Sequence, residues 1–107
     1  MFKRNRLLEM LERDEIPLGM QCFTGHPALI EVMGMTGFDF VMIDCEHSGN
    51  DVRAMESSVR AAQQAGLASY VRVPDHADET AIRRALEAGA EGIFLPMIRS
   101  EIGRAHV

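Results

Sequence analysis

The residue types best suited to chemistry stand together at Asp44-Cys45-Glu46-His47, two carboxylates, a thiol and an imidazole directly after the apolar run Phe40 to Ile43. A histidine moves protons near neutrality, and a neighbouring carboxylate orients its ring, so His47 is the candidate base. Arg72, in the otherwise apolar stretch Ala68 to Val73, offers a planar fork suited to a carboxylate or phosphate. Together they suggest an anionic substrate deprotonated beside its carboxylate. Structural readings stand beside these: a histidine after a strand often serves a loop, and a strand arginine often pairs with an acid such as Asp44. Cys45 and His47 form a thiolate pair only if extended geometry continues; otherwise Cys45 is a buried, inert thiol. Asp44, Glu46 and His47 are three adjacent donors from one segment, which seldom enclose an ion, so no metal ligand is assigned. His26 and His76 fall in turns, with a substrate contact as the lesser reading.

These residues need strands that end on one rim. A short amphipathic helix over Asn5 to Arg13 carries Leu7, Leu8 and Leu11 on one face and precedes a strand at Leu18 to Thr24. A helix follows at Ala28 to Met35, with Pro27 at its first position, then a second strand at Phe38 to Asp44. Asn50 is the expected N-cap of a helix running to Ala65, with Val52, Met55, Val59 and Ala62 toward the sheet. A third strand spans Ala68 to Val73, Asp78 caps a helix over Glu79 to Ala88, and a fourth strand runs from Gly92 to Met97. Ser100 to Val107 begins another helix. Thr36-Gly37, Ala65-Gly66 and Ala88-Gly89 each close a helix before an apolar strand, which marks repeating βα units. Such units require right-handed crossovers and a parallel sheet, either doubly wound or a (β/α)8 barrel. A whole barrel takes about 250 residues, so if the architecture is the barrel, 107 residues would make one partial domain, an N-terminal half with open sheet edges.

Composition removes several function classes. A net charge of −5 with interspersed signs argues against a nucleic-acid surface or a polybasic membrane patch. No apolar run approaches the roughly 20 residues that span a bilayer, which makes the cytoplasm the default compartment. Of 11 basic residues only Lys3 is a lysine, and it sits beside Arg4 and Arg6 at the terminus. Schiff-base chemistry, which needs a desolvated lysine, has no suitable residue. Cys22 and Cys45 lie in strands, as small hydrophobes rather than a bridge.

Leu18-Gly19-Met20, Gly37-Phe38-Asp39-Phe40, Ile43-Asp44-Cys45-Glu46-His47, Val71-Arg72-Val73-Pro74 and Leu95-Pro96-Met97, in this order and spacing, resemble the HpcH/HpaI aldolase family. The resemblance covers essentially the whole chain and implies the N-terminal half, about four βα units, of a TIM (β/α)8 barrel. It implies a lyase: a class II pyruvate aldolase that cleaves or forms 4-hydroxy-2-oxo acids, with a 2-oxo acid and an aldehyde as small-molecule partners. The implied cofactor is a divalent metal, Mg2+, Mn2+ or Co2+, and the implied assembly a homo-oligomer, hexameric in the family. By position, His47 would be the catalytic base, and Arg72 would hold the pyruvate carboxylate and carbonyl and stabilise the enolate. Glu87 matches a family aspartate that raises the histidine's basicity, although it is one methylene longer. Asp44 and Glu46 would support them. The family's metal ligands, a Glu and an Asp, come from later strands and are expected beyond residue 107. The alternative reading is a non-catalytic α/β fragment, or a small flavodoxin-like module, acting through association.

Overall fold

The structure, a computed structural model, describes residues 5–98; the helix expected at Ser100 to Val107 lies outside them. Helix α1 is Arg6–Glu12, and Asn5 caps it by accepting from the Leu7 and Leu8 N–H groups at 3.0 and 3.2 Å. The structure corrects which face this helix buries. Met10 is inside, whereas Leu8 and Leu11 are 58% and 56% exposed. The reason is where α1 is tied: Arg6 donates to the Gly66 carbonyl and to Asp39, and the Tyr70 hydroxyl bonds Asn5 Oδ1 at 3.1 Å. These anchors precede or lie within the strands' early residues, so α1 sits at the sheet's N-terminal end.

The remaining elements follow the expected order: β1 Gly19–Cys22, α2 Pro27–Met35, β2 Phe40–Asp44, α3 Val52–Ala65, β3 Ala68–Arg72, α4 Glu79–Ala88 and β4 Gly92–Phe94. The strands are shorter than the apolar runs, because pairing stops where the neighbour stops. Asp78 caps α4 through the Ala81 N–H, as expected. The N-cap of α3 is Asp51, not Asn50; Asp51 accepts from the Ala54 N–H at 2.9 Å, which releases Asn50 for another contact.

All three strand pairings are parallel and the sheet order is β1-β2-β3-β4. Spatial order equal to chain order separates the two architectures. A doubly wound sheet, including a flavodoxin-like one, reverses its strand order at a switch point, and none occurs among the described residues. Right-handed crossovers of unchanged sense place α2, α3 and α4 on one face, as in a barrel wall.

Register divides the strand residues into two sets. Cys22, Val41, Ile43 and Val71 face the helices and pack with Ile30, Met33, Met55, Val59, Ala62 and Ala85. Each fully buried Val or Ile contributes roughly 1.5–3 kcal/mol, so this layer dominates stability. The opposite set is Phe40, Met42 and Asp44 on β2, Tyr70 and Arg72 on β3, and Phe94 on β4. Part of it is an aromatic row, Phe40 to Tyr70 at 5.9 Å and Tyr70 to Phe94 at 6.0 Å between ring centroids, both edge-on. Gly19 and Gly92 make room for it: a Cβ at Gly19 would stand 2.6 Å from the Phe40 ring, and one at Gly92 2.4 Å from that of Tyr70. The row rises diagonally from Phe40 to Phe94, and Asp44 and Arg72 stand in register with Phe94 at the carboxyl end.

Candidate active site

Asp44, the last residue of β2, is fully buried and faces away from the helices. A carboxylate there is tolerable only with partners. Arg72 Nε donates to Asp44 Oδ1 at 2.7 Å from the neighbouring strand, where Asp44 and Arg72 are register partners. The main-chain N–H groups of Glu46 and His47 donate to its two oxygens at 3.2 and 3.0 Å. Burial pushes the Asp44 carboxyl up, but the Arg72 hydrogen bond, the two N–H donors and the Arg72 charge outweigh it and hold it below the usual range. The Asp44 hydrogen bond likewise drives the guanidinium further toward its charged form.

The two N–H bonds fold the chain back after Asp44. The turn is braced from the other side, because the Asp44 carbonyl accepts from Asn50 Nδ2 at 2.8 Å and from the Ser48 hydroxyl. Ser48 and Asn50 are the residues that sequence reasoning missed. Their signal was the polar Ser48-Gly49-Asn50-Asp51 turn, from which Asn50 was assigned to the helix cap instead.

The turn brings Glu46 to Arg72 and His47 to Glu46. Glu46 Oε1 lies 3.2 Å from Arg72 Nε and 3.3 Å from His47 Nε2. The His47 side chain is 68% exposed, that of Arg72 22%. Among the described residues, neither Nη nitrogen of Arg72 makes a hydrogen bond. Within them the guanidinium is therefore fixed along its Nε edge and open along the other. This includes the structural ion pair with Asp44 and still leaves a two-donor fork, the geometry that binds a carboxylate bidentately.

Four of the five expected site residues, Asp44, Glu46, His47 and Arg72, thus converge. Glu87 does not join them. It lies at the C-terminal end of α4, with its side chain 70% exposed and Oε1 3.9 Å from Arg83 Nε. A helix following a parallel strand runs back, so Glu87 sits near the N-terminal rim while His47 sits at the C-terminal one. Cys45 faces the helices, where burial and then the Asp44 and Asp51 charges push its thiol up to about 11, which removes the thiolate reading. His26 precedes α2 without a side-chain cap bond, and His76 Nδ1 lies 3.4 Å from Asp75 in the next loop. Among the described residues no three His, Cys, Asp or Glu side chains converge on a point that holds a metal.

Residues 19–102 match the HpcH/HpaI aldolase/citrate lyase family. The chain belongs to this family. It is 29% identical over 96 residues to a 5-keto-4-deoxy-D-glucarate aldolase of Klebsiella pneumoniae, covering 90% of this chain and 37% of that protein. An HpcH/HpaI aldolase/citrate lyase family protein of Burkholderia cenocepacia superposes with a TM-score of 0.82 at 34% identity, over 95% of this chain and 41% of that one. Citrate synthase SbnG superposes with a TM-score of 0.84 at 31% identity, over 90% and 39%. The chain spans well under half the length of the relatives it matches, and its fold is the N-terminal half of their TIM-type barrel.

Proposed function

We propose that the β2–β3 rim is half the active site of a metal-dependent class II aldolase acting on 4-hydroxy-2-oxo acids, with pyruvate and an aldehyde on the other side of the reaction. The observation that carries this is the Arg72 guanidinium, held by Asp44 along one edge and open along the other, with His47 on the adjoining turn. The open fork suits the carboxylate and neighbouring carbonyl oxygen of a 2-oxo acid, and its charge stabilises the enolate. In the cleavage direction His47 accepts the proton of the C4 hydroxyl, the C3–C4 bond breaks, and its electrons pass to the enolate whose oxygen Arg72 faces. Asp44 keeps the guanidinium charged and oriented.

A divalent metal (Mg2+, Mn2+ or Co2+), when bound, would supply Lewis-acid charge to the developing enolate. The described carboxylates do not fit it: Asp44 is buried with both oxygens engaged, and Glu46 Oε1 faces Arg72. Its ligands belong beyond residue 107, and the activity to the completed barrel. The single lysine accords with metal rather than Schiff-base chemistry. At the opposite rim, Glu87 can serve a His47 only from a second copy, which accords with a homo-oligomer, hexameric as in the family. Among the described residues no helix is long and apolar enough to cross a membrane. A cytoplasmic enzyme of small molecules is the reading we adopt.

Two variants of the completed barrel test it, with pyruvate release from a 4-hydroxy-2-oxo acid as the assay. His47→Ala abolishes turnover while pyruvate still binds, and Arg72→Ala weakens pyruvate binding itself. Unchanged turnover in His47→Ala, or unchanged pyruvate affinity in Arg72→Ala, contradicts the assignment.

A further inference from the structure

Adjacent side chains of a strand point to opposite faces, so Glu46 and His47 would not meet had the chain continued straight. The turn set by Asp44 brings them together, with Glu46 Oε1 3.3 Å from His47 Nε2. The contact stands out because the imidazole has little else to hold it. Its side chain is 68% exposed, while that of Glu46 is only 11% exposed. An exposed ring without an anchor samples several rotamers on a fast timescale. Glu46 does have an anchor: the same Oε1 lies 3.2 Å from Arg72 Nε as an ion-pair contact, while the single Nε–H is donated to Asp44 at 2.7 Å, which fixes that arginine independently.

The two carboxylates therefore divide the work. Asp44 holds the guanidinium and the main chain of the turn, and reaches His47 only through its N–H. Glu46 spans from the guanidinium to the ring. We infer that Glu46 is the positioning residue of the site: one carboxylate oxygen, shared between Arg72 Nε and His47 Nε2, sets the imidazole relative to the arginine fork. This rests on the aldolase reading for what the arrangement serves, a base held at constant separation from the anion it acts on. It also gives His47 a carboxylate neighbour within its own protomer, a position Glu87 does not occupy.

The test is solution NMR of the completed barrel, following the Arg72 Nε–H cross-peak and the His47 side-chain couplings and ring contacts. The wild-type protein should show one His47 rotamer with ring-to-Glu46 contacts. Glu46→Leu should leave the Arg72 Nε–H peak in place, since Asp44 still holds it, and average the His47 couplings. Glu46→Gln, which keeps an acceptor oxygen, should restore the single rotamer. Glu46→Ala serves the same purpose if the leucine variant does not give a folded spectrum. A His47 ring equally ordered in the leucine or alanine variant, or averaged already in the wild type, overturns the inference. Pyruvate is the probe in a second arm. It should shift the Arg72 and His47 signals together in the wild type and that of Arg72 alone in Glu46→Leu; joint shifts persisting in that variant also overturn the inference. Pyruvate that moves neither signal in the wild type counts against the aldolase reading, and the rotamer comparison still decides the role of Glu46.

Discussion

Along β2 and β3, Val41, Ile43 and Val71 are sealed from solvent, and the buried charge among them, Asp44, has an arginine and two main-chain donors. Beside and along the outer strands β1 and β4, Leu18, Met20, Phe94 and Met97 are 43% to 64% exposed. The flanking helices repeat the contrast, since α3 buries Met55, Val59 and Ala62 while α2 and α4 leave Val32 and Leu86 about half exposed. Contiguous apolar surface beside an unpaired strand edge is the surface that a neighbouring strand and helix cover. The difference teaches that the proposed site is confined to the part of the sheet whose packing is complete. A fork and a base must be held to within fractions of an ångström, and only strands braced on both sides do that.

The largest expected effect breaks the completed region. Arg72→Met leaves the Asp44 carboxylate buried without a cation and should cost about 3–5 kcal/mol in denaturant unfolding at neutral pH. The sign of its pH dependence is definite. Asp44 in the folded wild type titrates below its unfolded value of about 3.9, so its contribution is present above that pH and lost as pH falls through the folded value. In Arg72→Met the unpaired, buried carboxyl rises instead, so stability falls as pH rises through it. The gap between the two proteins should therefore narrow on acidification. A gap independent of pH contradicts the ion-pair account.

The second effect is steric and lies where α2 meets α3. A Cβ at Gly34 would stand 2.5 Å from the Ala65 Cβ and 2.7 Å from its carbonyl oxygen, so Gly34→Ala should push the helices apart at a cost of about 1–3 kcal/mol. The smallest effect belongs to the flanks. Met20→Lys and Leu86→Glu should change the stability of the chain by less than about 0.5 kcal/mol and reduce its self-association in sedimentation. A flank variant as costly as Gly34→Ala would erase the distinction between the two regions.

The βα repeat was legible because each helix is closed by a glycine and each strand is a short apolar run; Gly37, Gly66 and Gly89 all adopt positive φ, at 93°, 78° and 109°. The choice between a barrel and a doubly wound sheet was not, since strand order depends on contacts far apart in the chain. The convergence of Asp44 and Arg72 was legible, since both end parallel neighbours. The meeting of Glu46 with His47 was not, because strand alternation separates them and only the three-dimensional turn reverses that. Leu8 and Leu11 misled for a similar reason: helical periodicity names an apolar face but not its covering, and α1 is tethered through Asn5 and Arg6 instead.

The central claim, that His47 and Arg72 together act on a 2-oxo acid, is tested most directly by incubating pyruvate in deuterium oxide with the completed barrel and following its methyl protons by NMR. The account predicts exchange when a divalent metal is present, none when it is chelated, and none in His47→Ala with metal. Exchange that persists without metal, or that survives the loss of His47, would contradict it.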